Sequence, residues 1–174
     1  MIVVRRAVPG DAEQLASIAE STFRATFASA NTQADIDLHC SRSYSAKTQL
    51  REIESADTVT LVAADDDDSF AGYAQLRWRS TPSCVHDKDA GEIHRLYVAS
   101  EWHGRGLAQE LMAACIAEAL RRKSQHVWLG VWERNPRAIA FYRKLGFVGI
   151  GEHIFQLGSD QQRDIIMLRP VTLA

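Results

Sequence analysis

The segment Glu92 to Met112, EIHRLYVASEWHGRGLAQELM, puts chemistry-bearing residues where a strand hands over to a helix. The strand ends at Val98, a short loop follows, and His103-Gly104-Arg105-Gly106-Leu107-Ala108 opens a helix. Glycines at such a turn let the backbone approach a ligand closely, and the unpaired N–H groups of a first helical turn point outward. The helix dipole adds positive potential, so the pattern is that of a pyrophosphate-binding turn. A dinucleotide-binding unit requires a third glycine and an acidic residue about 20 positions further on, and the turn falls short of that fingerprint. A Gly-Lys-Ser/Thr phosphate loop is absent.

Other reactive residue types carry less. Cys40, Cys84 and Cys115 are an odd, widely spaced set without a C-x-x-C, which provides neither a disulfide framework nor a metal site. Cys115 lies among small apolar residues and reads as core. The run Asp65 to Asp68 reads as a solvated hairpin turn, because adjacent carboxylates splay apart instead of converging on a cation. His39, His86 and His126 have no partner in the sequence and read as surface or strand-end residues.

Elements must hold the turn in place. Ile2 to Arg6 reads as a strand, Asp11 as a helix N-cap, and Leu15, Ile18, Ala19, Thr22, Phe23 and Phe27 recur at helical spacing. Further helix is predicted within 32–54, with a break whose position the pattern leaves open. Strands are predicted at 58–63, 70–79, 92–98 and 126–131, helices at 107–123 and 136–145, and closing strands at 147–155 and 162–168. Gly146 is placed as the residue that ends the last helix. This order predicts an α/β (α+β) fold, one domain over 1–174, with a mixed sheet flanked by helices.

The chain has 174 residues, 46% of them hydrophobic and 24% charged, as in ordinary soluble domains. A net charge of −2 argues against nucleic acid as a partner. No apolar run has the length of a membrane span, and the first residues lack a signal-peptide core, which makes the cytoplasm the expected compartment.

The turn resembles the acetyl-CoA loop of the GNAT superfamily of N-acetyltransferases, Gln/Arg-x-x-Gly-x-Gly/Ala, with His103 in the first place and Gly106 and Ala108 in the small-residue places. A second block, Asn135 to Phe147 (NPRAIAFYRKLGF), resembles the family's later motif, Asn-x-x-Ala-x-x-Phe-Tyr-x-x-x-Gly-Phe. Asn135 is a good N-cap, with Pro136 at the first helical position. Over most of the chain, including Thr22-Phe23-x-x-Thr26-Phe27-x-x-x-Asn31 and Gly151-x-His153-x-Phe155-x-x-Gly158-x-x-x-Gln162-x-Asp164, it is similar to the PaiA-type spermidine/spermine N-acetyltransferases.

The resemblance implies a mostly antiparallel sheet of about seven strands, splayed at a central parallel pair near 92–98 and 126–131, where acetyl-CoA wedges in as co-substrate. The backbone of Leu96, Tyr97 and Val98 would pair with the pantetheine arm. The turn from His103 through Gly104, Arg105, Gly106 and Leu107 to Ala108 would hold the pyrophosphate, and Asn135 and Tyr142 would also touch the cofactor. Tyr142 is the implied acid for the leaving thiolate. Either Glu92 or His94 is the candidate base, on a strand whose alternation puts Glu92, His94, Leu96 and Val98 on one face; a purely structural pair is the alternative. His153 is a further candidate site residue; Glu20, Asp35 and Asp37 read first as members of solvated faces and second as a lure for a cationic substrate. The expected reaction moves an acetyl group directly to a primary amine, with a polyamine as one acceptor that the resemblance implies. Acetylation of a protein N-terminus or lysine is the rival within the class. A non-catalytic acyl-CoA sensor is the rival outside it, against which the presence of Tyr142 speaks. Homodimerisation is compatible with the resemblance, and no metal is expected.

Overall fold

A computed structural model describes residues 1–171. In chain order the elements are β1 (Val3–Arg6), α1 (Ala12–Phe27), α2 (Gln33–Ser43), α3 (Ala46–Glu54), β2 (Thr58–Ala64), β3 (Phe70–Arg77), β4 (Gly91–Val98), α4 (Leu107–Arg121), β5 (His126–Trp132), α5 (Pro136–Lys144), β6 (Val148–Leu157) and β7 (Asp160–Pro170). The break left open between 32 and 54 falls at Tyr44-Ser45. Each new helix there starts on a hydroxyl cap: Thr32 accepts from the Asp35 N–H at 3.2 Å, and Ser45 from the Thr48 N–H at 3.1 Å.

The seven strands form one sheet in the order β1-β2-β3-β4-β5-β7-β6, antiparallel except at β4–β5. Those two strands pair only at Gly91↔Val127 and Glu92↔Trp128. Beyond that point β4 stays with β3 and β5 stays with β7, so a gap opens in the middle of the sheet. On one face α4 buries Leu107, Leu111, Met112 and Cys115 against strands β2 to β5. On the other face Leu15, Ile18 and Phe23 of α1 pack with Ile36 and Tyr44 over Val62 and Tyr73. Each such large apolar side chain contributes about 1.5–3 kcal/mol by leaving water, which fixes both helical layers on either side of the gap.

One expectation needs correcting. The β3–β4 register runs Gln75↔Arg95 and then Leu76↔Ile93, so His94 is an extra residue, a β-bulge. Alternation therefore does not carry through it. Ile93, Leu96 and Val98 pack toward the α4 layer. Tyr97 packs toward the α1 layer, the face that also carries the Arg77–Glu92 pair. Glu92 and His94 thus lie on the opposite face from Leu96 and Val98, because the bulge inserts one residue and inverts the phase.

Candidate active site

At the head of α4 the backbone makes an anion cradle. Gly104 and Gly106 have φ of 77° and 84°, a left-handed conformation that costs an L-residue about 1–2 kcal/mol, and Gly106 is the helix N-cap. The N–H groups from Gly104 to Ala108 find no backbone acceptor among the described residues. A Cβ built at either glycine would meet nothing within 4 Å, so the left-handed backbone and not close packing is what calls for glycine here. His103 turns inward: its Nε2 lies 2.8 Å from the Val98 carbonyl oxygen, tying the loop to the end of β4. Arg105 lies over the Trp102 ring at 5.0 Å. Arg137, from the first turn of α5, joins the wall of this notch.

The cradle opens into a cleft of about 920 Å³ that runs through the gap between β4 and β5. On the α4–α5 side it is lined by Leu96, Val98, Ala138, Phe141 and Tyr142. The Ala99 N–H bonds Ala71 of β3 at 2.9 Å, so by strand alternation Leu96 and Val98 turn their peptide groups toward the gap. Asn135 Oδ1 caps α5 by accepting from the Ala138 N–H at 3.2 Å, which fixes the helix that carries Tyr142. The Tyr142 ring sits edge-on to Phe147 at 5.7 Å. Burial, with the nearby Cys115, pushes its hydroxyl up to about 12, so it is a protonated phenol at neutral pH.

On the other side of the gap the wall is aromatic. Phe23, Phe27, Tyr44, Tyr97, Trp132 and Phe155 line it, and the His39 ring stacks on Phe23 at 4.3 Å. His39 therefore is not a surface residue. Burial, with some repulsion from Arg95, lowers it to about 4 and leaves it neutral. Helix α2 brings it there, a placement that local spacing does not reveal.

The acidic candidates separate sharply. Arg77 Nε and Nη2 donate to the two Glu92 oxygens at 2.6 and 2.9 Å, and Arg79 Nε adds a third bond at 3.1 Å. Burial alone would raise the Glu92 carboxyl, but the His94 contact and the Arg77 fork overcome it and hold it at about 2. His94 Nδ1 stands 3.7 Å from Glu92 Oε1, and burial takes its ring to about 4 despite that neighbour. Asp35, suggested as a lure for cationic substrate, instead ties α2 to the β6–β7 turn by accepting from the N–H and hydroxyl of Ser159 at 2.6 and 2.8 Å. Glu20 and Asp37 are held by Arg24. His153 does line the cleft, opposite Asp164 in the β6–β7 ladder. Asp164 itself was visible only as the last residue of a family pattern, because nothing local to it signals a site.

A parallel strand pair that parts after two rungs, with an N–H cradle at the next helix, has the shape of a cofactor wedge. Residues 15–147 match the Acetyltransferase (GNAT) family. The chain belongs to the GNAT family. An uncharacterised N-acetyltransferase of Mycobacterium tuberculosis is 31% identical over 159 residues, covering 91% of this chain and 97% of that protein. The streptothricin acetyltransferase of Streptomyces lavendulae is 30% identical over 122 residues, 68% of this chain and 61% of that one. In fold, this GNAT chain superposes on the PaiA N-acetyltransferase of Thermoplasma acidophilum, solved with coenzyme A, with a TM-score of 0.80 at 21% identity, covering 98% and 99% of the two chains. The GNAT chain is an acetyltransferase, and acetyl-CoA is its co-substrate. Among the described residues no helix is long and apolar enough to cross a membrane.

Proposed function

We propose that the protein transfers acetyl from acetyl-CoA to a primary amine of a cationic, polyamine-like small molecule, in a single step within a ternary complex. The observation that carries this reading is the cleft itself, which passes through the parted sheet and joins two unlike half-sites. The α4–α5 half has the N–H cradle for the pyrophosphate and the exposed edge of β4 for the pantetheine arm. In this reading the N–H groups of Leu96 and Val98 stabilise the developing oxyanion, and the Tyr142 hydroxyl, a neutral phenol lining the cleft, protonates the leaving thiolate. The other half suits a cation. Aromatic faces attract ammonium groups, Arg77 and the exposed Arg79 share the Glu92 carboxylate, Arg95 is paired with Glu52, and Asp164 adds a negative charge. The PaiA-type resemblance points to the same class of acceptor.

Release of CoA thiol, measured against spermidine, spermine, small monoamines and peptides with free N-termini, tests the proposal. Polyamines turned over with the highest kcat/KM, and kcat lost in Tyr142→Phe, is the expected result. Turnover of peptides alone would sink the polyamine assignment.

A further inference from the structure

We propose that Asp164 is the general base that takes the proton from the acceptor ammonium, a role that rests on the acetyl transfer proposed above but not on the acceptor being a polyamine. Its place in the fold is unusual for a carboxylate. In the β5–β7 and β6–β7 ladders it stands opposite Trp132 and opposite His153. Its side chain is only 13% exposed, it lines the cleft, and it accepts no hydrogen bond among the described residues. His153 Nε2 is 3.8 Å away, beyond hydrogen-bond reach. A buried carboxylate is normally hydrogen-bonded or paired. The carboxylate is not tied up by the described residues and faces the cleft, so it is free to meet an ammonium entering the aromatic half.

Gly130 makes the placement possible. A Cβ there would come within 2.9 Å of His153 Cε1 and 3.2 Å of Asp164 Oδ2. Without it, both side chains lean over β5 at the edge of the gap. Tyr97, Tyr142 and Asp164 all line the one cleft, Tyr97 packing toward the α1 layer and Tyr142 toward the α4 layer. His153 from β6 and Gly130 and Trp132 from β5 stand around Asp164, with Tyr97 of β4 lining the same cleft; His153 and Tyr97 are the titratable groups among these. Burial raises the Asp164 carboxyl to about 6, against a mild downward pull from His153. Such a group is largely ionised at neutral pH yet a far better proton acceptor than Glu92, which Arg77 and Arg79 saturate.

The steps balance. Asp164 takes one proton from the ammonium; the freed lone pair forms the C–N bond and the C–S bond breaks. The thiolate leaves with the Tyr142 proton, the second nitrogen proton restores Tyr142 through solvent, and Asp164 releases its proton to solvent.

The test compares wild type, Asp164→Asn and Asp164→Glu, using whichever of spermidine, spermine or an alanine-initiated peptide the wild type acetylates fastest. The expected result is a loss of about 100-fold or more in kcat/KM for Asp164→Asn, with acetyl-CoA affinity unchanged, and partial recovery in Asp164→Glu. The wild-type kcat/KM should rise with pH through a midpoint near 6, the value to which burial takes Asp164, and that limb should vanish in Asp164→Asn. A limb near 4 or below would assign the base to His94 or Glu92 and overturn the proposal. Activity of Asp164→Asn within about threefold of wild type would overturn it as well. A wild type that binds acetyl-CoA and acetylates none of the acceptors would instead overturn the enzyme reading, and the base with it.

Discussion

Glu92 is buried at the last rung before the sheet parts, paired with the largely buried Arg77 and the exposed Arg79, which makes it a structural residue first. Removing one partner from such a pair leaves an uncompensated charge and costs about 3–5 kcal/mol; Arg79 is more than half exposed and can keep solvent contact, so the lower end applies. Glu92→Gln is expected to lower stability by about 3 kcal/mol in denaturant titration. The folded-state carboxyl at about 2 lies below its ordinary 4.5, so its contribution is complete above pH 4.5 and is lost as pH falls toward 2. Chemical denaturation across that window should show a steeper acid loss in wild type than in Glu92→Gln. Asp164 has the opposite sign. Its carboxyl at about 6 lies above the ordinary 3.8, so ionisation opposes folding above that range and stability improves as pH falls through 6. At pH 8 the Asp164→Asn protein should melt no lower than wild type even though its turnover falls. A catalytic group kept at a cost to stability gives that combination, and a structural one does not.

At the level of elements, the β4–β5 gap and the start of α4 act together. The cradle depends on left-handed backbone at Gly106. Gly106→Ala meets no steric obstacle from its surroundings, so its effect isolates backbone strain of about 1–2 kcal/mol. Relief of that strain moves the donors, and acetyl-CoA should bind about tenfold more weakly by calorimetry. Unchanged affinity would mean that the cradle does not hold the pyrophosphate. On the facing strand, Gly130→Ala presses on the ends of the His153 and Asp164 side chains and not on backbone, so stability should change little, while kcat/KM for the amine falls and acetyl-CoA affinity stays the same.

At the scale of the whole molecule, the proposed half-sites lie on opposite faces of one sheet and line one cleft. Both substrates can therefore be held together, and direct attack needs no enzyme nucleophile. The buried cysteines fit this picture: burial raises Cys40, and takes the Cys115 thiol to about 12, far from a thiolate at neutral pH. Initial-rate kinetics should give intersecting double-reciprocal lines. Incubation with acetyl-CoA alone should release no burst of CoA; a burst, or parallel lines, would show an acetyl-enzyme.

Local signals in the chain determined a good part of this. The cap residue Asn135, the glycines of the α4 turn and the periodicity of α1 act over a few residues, so their consequences are legible without a fold, whereas the pattern leaves open the break that the Ser45 cap makes within 32–54. The two motif blocks, 27 positions apart from Ala108 to Asn135, carried the family. What tertiary structure alone decided concerns contacts between distant segments. The bulge at His94 is a register mismatch between two strands and inverts which side chains share a face. Arg77 reaches Glu92 across β3 and β4, and His39 enters the cleft because α2 folds back over α1. Asp164 is raised by burial that β5 and β6 create around it, and its approach to the gap relies on the missing side chain at Gly130. Charge, burial and distance between such residues are properties of the packed chain, and one-dimensional spacing carries no record of them.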